Sequence, residues 1–514
     1  MSKFLKGTMI LMAAGLITRL LGFINRIVIA RLIGEEGVGL YMMAYPTLVL
    51  VITITQLGLP VAISKAVAEA DARGDQRKIK NILVVSLSVT GTLSLIFTPA
   101  LILLAPQLSE TLFTDQRIYY PLVAITPIIP IIAISSVIRG YFQGKQNMKP
   151  SAVSQVIEQL TRITLIAVMT KAFLPHGVEY AAAAAMVASV IGELISLCYL
   201  FTVFKVKKKF PVRRNFLEGL KAGRKTLSEL MGVAIPTTGS RMIGSLSWFF
   251  EPIVVSQSLL IAGIAAGVAT KQYGLLTGYA LPLLTLPSFI TFALATSLVP
   301  AISEANIIRN YKLVEHRLQQ ALRFALLTGG LSVVVLFTFA EPLMATIYGS
   351  VTGAYFIKLM APFFIFQYYQ GPLQAILQAL DLARAAMINS MIGAVVKLAV
   401  IYVLATRPEF GINGAALGIA AGTVLVTILH YATALKKVQF TVYINDYFKF
   451  LLAAILSGWS GKICYELLTI EPMMLKLCIG ISMTSLIYCA LLFFLKLATK
   501  SDMQKIPIIG AIFK

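Results

Sequence analysis

Charged residues are scarce in this sequence. They make up 13% of its 514 residues, whereas a soluble domain carries about a quarter. Hydrophobic residues account for 58%, and apolar runs of about twenty residues, the length that a helix needs to cross the hydrocarbon, recur from end to end. These runs are too long and too frequent for the buried helices of a soluble protein. The composition therefore predicts an all-α polytopic membrane protein.

Residues and motifs of metal, redox and hydrolytic chemistry are also few. The four cysteines form no Cys-x-x-Cys pair, and the three histidines show no ligand spacing, so we expect neither a disulfide nor a metal site. No Walker A, Gly-x-Ser-x-Gly or His-Glu-x-x-His motif is present. No segment outside the apolar runs is long enough for an enzyme domain. We expect a protein that is not an enzyme, needs no cofactor and draws energy from an ion gradient, the membrane potential or downstream consumption of its substrate.

What is abundant is positive charge, with a formal net charge of +22. Binding to nucleic acid is a poor explanation of this charge, because the basic residues lie in short loops, where membrane topology and anionic lipid account for them. Alternate loops are basic, which predicts a multi-pass cell-membrane protein with both termini in the cytoplasm. The basic linker 204–225 is expected to lie on anionic lipid. We counted Arg139 among the basic cytoplasmic segments, and we assigned to the opposite side a mixed set of loop charges that includes Glu35, Glu36, Asp115, Arg117 and Lys271.

The length rule predicts about fourteen membrane-spanning helices. They cover residues 8–33, 40–64, 81–105, 118–142, 150–172, 180–204, 230–259, 273–300, 318–340, 354–379, 385–406, 412–435, 447–468 and 473–496. The predicted domains are an N-lobe over 1–204 (helices 1–6), a basic cytoplasmic linker over 205–229, a C-lobe over 230–435 (helices 7–12), and two additional helices with a short basic tail over 436–514.

The two predicted lobes share sequence patterns. TRLLG (18–22) matches SRMIG (240–244), and LGLPVAISKA (57–66) matches SLVPAISEA (297–305). Two weaker matches follow in the same order, which favours an internal repeat. Both halves begin on the same side of the membrane, so the repeats are parallel, and such transporters carry their substrate path at the repeat interface. We therefore expect Arg19 and Arg241 to be pseudo-symmetric partners facing a central cavity.

Among the basic residues inside predicted spans, where each charge costs roughly 2.5–3.5 kcal/mol on insertion scales, five are the candidates to line a cavity. They are Arg19, Arg26, Arg162, Arg241 and Lys397. A cavity lined by these cations suits a phosphate or pyrophosphate, which accepts several charge-assisted hydrogen bonds. Arg26 has an alternative, since its long side chain can extend to the far headgroups.

Among the acidic residues inside the spans, three are candidates for a role in the cavity or its packing. Glu158 is four residues before Arg162, so the two form either an internal ion pair or a joint substrate contact. Glu251 precedes Pro252 and either balances Arg241 or carries a coupling proton or sodium ion. Glu193 has no partner apparent in the sequence and is expected to be a structural hydrogen bonder.

Helix-breaking residues lie in the same spans. Gly22 lies between the two arginines of the first helix, and Pro252, Pro282 and Pro287 interrupt helices 7 and 8. Such breaks serve either gating or ordinary kinked packing.

Two stretches resemble a known family. TRLLGFINRIVIARLIGEEGVGLYMMAYPTLVLVITITQLGLPVAISKAVAEADARGD and SSVIRGYFQGKQNMKPSAVSQVIEQLTRI are similar to the stage V sporulation protein B family of endospore-forming bacteria. That family lies in the polysaccharide-exporter branch of the multidrug/oligosaccharidyl-lipid/polysaccharide superfamily. The resemblance implies a fourteen-helix, two-lobed flippase that moves lipid II, an undecaprenyl-pyrophosphate-linked peptidoglycan precursor, for the spore cortex.

The sequence departs from related lipid II flippases at part of their anion site. Their first helix carries Ser-Arg-x-Leu-Gly-Phe-x-Arg-Asp, where this chain matches the first arginine at Arg19 and has the second displaced by one position, at Arg26. Their Arg and Glu before the helix 8 proline correspond here to Pro282 and Thr285, and an arginine of helix 2 is missing. Arg241 and Lys397 are the candidates to compensate.

Alternative functions on the same fold are an ion-coupled drug or metabolite antiporter with Glu251 as the ion carrier, a flippase for another lipid-linked oligosaccharide, and a non-transporting scaffold that recruits cell-wall synthases. The scaffold predicts that the charges within the membrane tolerate neutral replacement.

Overall fold

The computed structural model describes residues 3–207, 223–438 and 444–497. Within these ranges the chain is helical and has no strand, which confirms the predicted all-α class. The helices are α1 Lys3–Gln56, α2 Leu59–Ala72, α3 Gln76–Gln107, α4 Tyr119–Ile125, α5 Ile128–Gly144, α6 Lys149–Phe173, α7 Val178–Lys207, α8 Gly223–Ile261, α9 Ala266–Gly274, α10 Leu281–Thr285, α11 Ser288–Ile307, α12 Tyr311–Thr338, α13 Ala340–Tyr348, α14 Ala354–Ala379, α15 Ala383–Ala405, α16 Ile412–Leu435, α17 Ile444–Leu467 and α18 Met473–Phe494. Most of the predicted basic linker (208–222) and the basic tail (498–514) lie outside the described residues.

Helix α1 joins the first predicted span to most of the second. Only Gly34 leaves the helical conformation, with φ 68° and ψ −175°, a backbone region that is essentially restricted to glycine. The chain turns again at Leu57 and Gly58, both with positive φ, before α2 begins at Leu59 with Pro60 in its first turn. The predicted boundary at 34–39 is therefore a single-residue kink, and the second predicted span is divided between α1 and α2.

Ten described segments are long and apolar enough to cross a membrane. The first, Ala14–Ala72, has 59 residues, whereas one crossing needs about 20, so this segment is long enough for more than one crossing. The membrane-spanning character of the chain is confirmed, while the total of fourteen spans stays a prediction.

By packing, the chain forms two compact units. The first consists of Met1–Gly278 and Ile401–Ala415, and the second of Tyr279–Val400 and Ala416–Lys514. Helix α8 belongs to the first unit, because Leu230 and Ala234 are buried in one core with side chains of α2, α3, α5 and α7. The division into two lobes at 205–229 was inferred from the internal sequence repeat, and it stays a prediction.

The second unit has two apolar cores. One is built from α11, α12 and α14 around Leu318 and Leu373, and the other from α12, α17 and α18 around Tyr488. The guanidinium of Arg323 on α12 donates hydrogen bonds to the carbonyl oxygen of Leu497 and so anchors the end of the described chain.

Candidate functional site

A buried polar cluster lies in the first unit where α5, α6 and α7 meet. Gly192 makes the close approach of α6 and α7 possible, because a Cβ atom there would lie 3.0 Å from the carbonyl oxygen of Glu158. The next residue, Glu193, is thereby brought beside Glu158. A larger residue in place of Gly192 would push apart the two helices that carry the carboxylates.

Glu158 and Arg162 form an ion pair on α6. Nη2 of Arg162 donates to Oε1 of Glu158 at 2.5 Å, and both side chains are nearly buried, with exposed fractions of 13% and 12%. The i, i+4 spacing places both residues on one helical face. The predicted internal ion pair is confirmed, and a substrate contact of these residues stays a prediction.

Arg139 on α5 completes the cluster. Its Nη2 lies 3.1 Å from Oε1 of Glu193, 3.1 Å from Oγ of Ser196 and 3.5 Å from Oε2 of Glu158. The interpretation of Arg139 as a loop cation is wrong, whereas the expectation that Glu193 is a structural hydrogen bonder is confirmed, with Arg139 as the partner that the sequence did not indicate. The signal in the sequence was that Arg139 falls inside the predicted span 118–142, where a cation needs a counter-ion.

The cluster is electrically balanced. It holds two guanidinium groups and two carboxyl groups, and the Glu193 side chain is only 2% exposed. Nη2 of Arg139 lies near an oxygen of each carboxyl group, at 3.5 Å for Glu158 and 3.1 Å for Glu193, so the two carboxyl groups are neighbours. The buried charges are thus paired, as the cost of desolvation demands.

Helix α1 brings a further cation to the edge of this cluster. The hydroxyl of buried Tyr41 interacts electrostatically with both Arg26 and Arg162, and it is hydrogen-bonded to Ser189 of α7. Tyr45 stacks on Tyr41 with ring centroids 5.8 Å apart. Arg26 itself is half-buried, so Tyr41 lies within electrostatic range of two arginines, Arg26 of α1 and Arg162 of α6.

The remaining predicted cations lie elsewhere. Arg19 on α1 and Arg241 on α8 are exposed. Lys397 is half-buried on α15 of the second unit, where the absence of a side chain at Gly422 leaves room for its aliphatic stem. The predicted cavity shared by these residues and the Arg19–Arg241 partnership stay predictions.

Glu251 has a partner that the sequence did not indicate. It is buried on α8, and the hydroxyl of fully buried Tyr273 is hydrogen-bonded to its carboxylate. Helix α8 continues through Pro252, and α1 continues through Gly22. By contrast, Pro287 lies at the break between α10 and α11, and Pro282 lies in the first turn of α10 after a π-helical turn. A gating role of these four residues stays a prediction.

A second charged cluster ties three segments of the first unit together. Arg117 makes two hydrogen bonds to Asp115, at 3.0 and 2.9 Å, and a third of 2.6 Å to Glu36 of α1. Thr270 of α9 donates to Asp115 at 2.8 Å. Burial opposes ionisation of Asp115, but the hydrogen bonds from Arg117 and Thr270 prevail and hold the pKa of its carboxyl below the usual value. The sequence indicates Glu36, Asp115 and Arg117 only as separate loop charges, and the structure shows that they form one cluster.

Helix α8 contacts this unit at several levels. Lys78 of α3 pairs with Glu229 at 2.8 Å, and the hydroxyls of Thr53 and Ser245 are hydrogen-bonded at 2.8 Å. Farther along, the amide of Gln257 donates to the carbonyl oxygen of Thr111 at 2.6 Å. These polar contacts explain why α8 groups with the first unit.

Within the described ranges, no three His, Cys, Asp or Glu side chains converge as a metal site would require. The cysteines are free, and His430 is buried beside the amide of Asn389 at 3.3 Å. The chemistry of the described polar clusters is therefore that of charge pairing and hydrogen bonding.

Comparison with known proteins identifies the family of this chain. A family model described as Polysaccharide biosynthesis protein matches residues 4–306, and a model described as MatE matches residues 276–403. Stage V sporulation protein B of Bacillus subtilis (strain 168) is 59% identical over 508 residues, which cover 99% of this chain and 98% of that protein.

More distant relatives agree with this result. Lipid II flippase MurJ of the same organism is 27% identical over 453 residues, which cover 84% of this chain and 81% of that protein. A solved structure titled "Lipid II flippase MurJ, inward closed conformation" shares the fold, with a TM-score of 0.71 at 15% identity over 95% of this chain and 99% of that one. The chain therefore belongs to the stage V sporulation protein B family, within the wider polysaccharide biosynthesis protein family of membrane proteins.

Proposed function

We propose that this chain is a flippase that translocates a lipid-linked anionic precursor by alternating access between two lobes. The substrate is an undecaprenyl-pyrophosphate-linked peptidoglycan precursor of the lipid II type, destined for the spore cortex. The whole-length similarity to stage V sporulation protein B and the flippase function named for MurJ support this assignment. The chain acts as a transporter and not as an enzyme.

The observation that carries the proposal is the nearly buried guanidinium of Arg162, whose Nε has no hydrogen-bond partner among the described residues and which, like Arg26, lies within electrostatic range of Tyr41. Two guanidinium groups beside one hydroxyl, within helices long and apolar enough to span a membrane, form a donor-rich site. Such a site fits the several acceptor oxygens of a pyrophosphate. Arg19, Arg241 and Lys397 are proposed to meet the substrate at other stages of its path.

Flipping of labelled lipid II in vesicles that contain only this protein tests the proposal. A lost hydrogen bond to a charged group costs roughly 1.5–3 kcal/mol, so we expect Arg26→Gln to slow flipping at least tenfold. Arg19→Ala and Arg241→Ala should abolish cortex synthesis in cells while the protein level stays unchanged.

Arg317→Ala is the matched control, because Arg317 is an exposed arginine of α12 that contacts Gln320. It should flip at the wild-type rate. Wild-type flipping by Arg26→Gln, together with full cortex synthesis in both alanine variants, would refute the proposed site.

An ion-coupled antiporter is the second candidate, since Glu251 is a buried carboxylate held by Tyr273 inside α8. Ionisable groups buried in membrane helices are common ion carriers. Normal drug susceptibility of a deletion strain, with intact cortex in Glu251→Gln cells, would exclude this candidate. The scaffold alternative predicts that cells carrying the neutral variants of the membrane arginines retain normal cortex.

The proposed setting is the cell membrane, with both termini in the cytoplasm. Anionic lipid is the proposed partner of the 204–225 linker, on the strength of its charge alone. Cell-wall synthases are proposed to receive the translocated precursor.

A further inference from the structure

We infer that Arg162 exchanges its partner Glu158 for the substrate anion, and that the Glu158–Glu193 carboxyl pair binds a proton from water when this happens. Anion binding and proton binding at the cluster are then coupled. The inference rests on the proposed function, because it requires Arg162 to contact the translocated anion.

The position of Arg162 makes this exchange possible. Its Nη2 is bonded to Glu158, whereas its buried Nε has no hydrogen-bond partner among the described residues. The same guanidinium interacts electrostatically with Tyr41 and Tyr45 of α1, on the side where Arg26 also lies. Arg162 therefore lies between a carboxylate that it already neutralises and a region rich in donors.

The balance of charge supplies the coupling. Arg139 and Arg162 together neutralise Glu158 and Glu193 while Arg162 remains in the cluster. Once Arg162 pairs with an anion, Arg139 is the remaining counter-ion for two buried carboxyl groups. An uncompensated buried carboxylate is so costly that it takes up a proton instead.

The geometry also provides a place for that proton. Both carboxyl groups contact the same Nη2 of Arg139, at 3.5 and 3.1 Å, so they are close enough for a proton taken up by one to be shared with the other. The titratable and charged groups around the cluster are Arg139 from α5, Arg162 from α6 itself, Glu193 from α7, and Tyr41, Tyr45 and Arg26 from α1. Among them, Glu193 is the carboxyl group that neighbours Glu158. The same linkage would pair uptake of a negatively charged headgroup with uptake of one positive charge.

Binding of undecaprenyl pyrophosphate to the full-length protein in nanodiscs, measured from pH 5.5 to 8.5, tests the inference. If binding of the ligand is accompanied by uptake of one proton, the affinity falls up to tenfold for each unit by which the pH rises. The pyrophosphate of the ligand also binds and releases protons in this range. The informative quantity is therefore the slope of log Kd against pH for the wild type minus the same slope for a variant. The amide of Glu158→Gln mimics the protonated acid. We therefore expect the pH slope of this variant to be smaller by one proton, and we expect it to bind the ligand more tightly than the wild type at pH 8.5.

Glu193→Gln provides a second test, because the shared proton can be removed from either carboxyl group. Glu466→Gln is the matched control, since Glu466 belongs to an exposed i, i+4 pair with Lys462, and its pH profile should equal that of wild type. Parallel pH profiles in wild type, Glu158→Gln and Glu193→Gln would overturn the inference while leaving the anion site intact. Unchanged affinity in Arg26→Gln and Arg162→Gln would instead overturn the proposed function.

Discussion

Arg139 is predicted to contribute strongly to the stability of the first unit, because it is the counter-ion of a buried carboxyl group. Arg139→Met removes the hydrogen bonds to Glu193 and Ser196 and leaves the 2% exposed Glu193 carboxyl without its counter-ion. Breaking a buried pair by removing one partner costs about 3–5 kcal/mol. Because Glu193 can escape part of this cost by binding a proton, we expect a loss of about 3 kcal/mol, the lower end of that range.

Removing the second partner should restore stability. In Arg139→Met/Glu193→Gln the uncompensated charge is gone, so we expect a recovery of about 2 kcal/mol relative to the single variant. The assay is denaturant-induced unfolding of the protein in detergent micelles, followed by tryptophan fluorescence, with both single variants and the double variant in one cycle.

Lys462→Met is the matched control, because the Lys462–Glu466 pair is exposed and 3.8 Å apart. An exposed pair contributes about 1 kcal/mol or less. A loss of less than about 0.5 kcal/mol in Arg139→Met, or a coupling energy of zero in the cycle, would refute the view that buried charge balance holds α5 to α7.

Three further predictions concern the first unit. The pKa of Asp115 is lower in the folded protein, so its stabilising effect is present at neutral pH and is lost as pH falls below about 4; unfolding measured from pH 3 to 7 should show that Asp115→Asn lacks this acid-dependent loss. Gly39→Ala places its Cβ atom against the carbonyl oxygen of Thr270, and overpacking of this kind costs about 1–3 kcal/mol of unfolding free energy. Gly22→Ala meets no atom within 4 Å and should keep wild-type stability, while the predicted gating role requires that its flipping rate fall. Equal stability of the two alanine variants would contradict the packing argument, and wild-type flipping by Gly22→Ala would contradict the gating role.

Sequence reasoning succeeded where the physics is local or compositional. The length of apolar runs predicted a polytopic helical protein, and the i, i+4 spacing of Glu158 and Arg162 predicted their ion pair, because helix geometry fixes which residues are neighbours. The family was also recognisable from the first 165 residues.

It failed where two distant segments make one contact. Arg139 and Glu193 are 54 residues apart, so no periodicity connects them, and a cation near the end of an apolar run looks like a loop residue. The cluster of Asp115, Arg117 and Thr270 depends likewise on the packing of α9 against α1. Helix boundaries were misjudged at Gly34, because a single glycine in an unusual conformation turns the chain without interrupting the helical pattern on either side.

That kink has a mechanical consequence. Gly34 separates a segment of α1 that carries Arg19 and Arg26 from a segment held in place by Glu36 and Gly39. Arg19 lies 15 residues from the kink, about 22 Å along the helix axis. A change of only about 10° in the backbone direction at Gly34 would therefore sweep Arg19 sideways by about 4 Å, more than the length of a hydrogen bond. The proposed contact of this segment with an anion could therefore be made or lost through a small change at Gly34 alone, while Glu36 and Gly39 keep their contacts with Arg117 and Thr270.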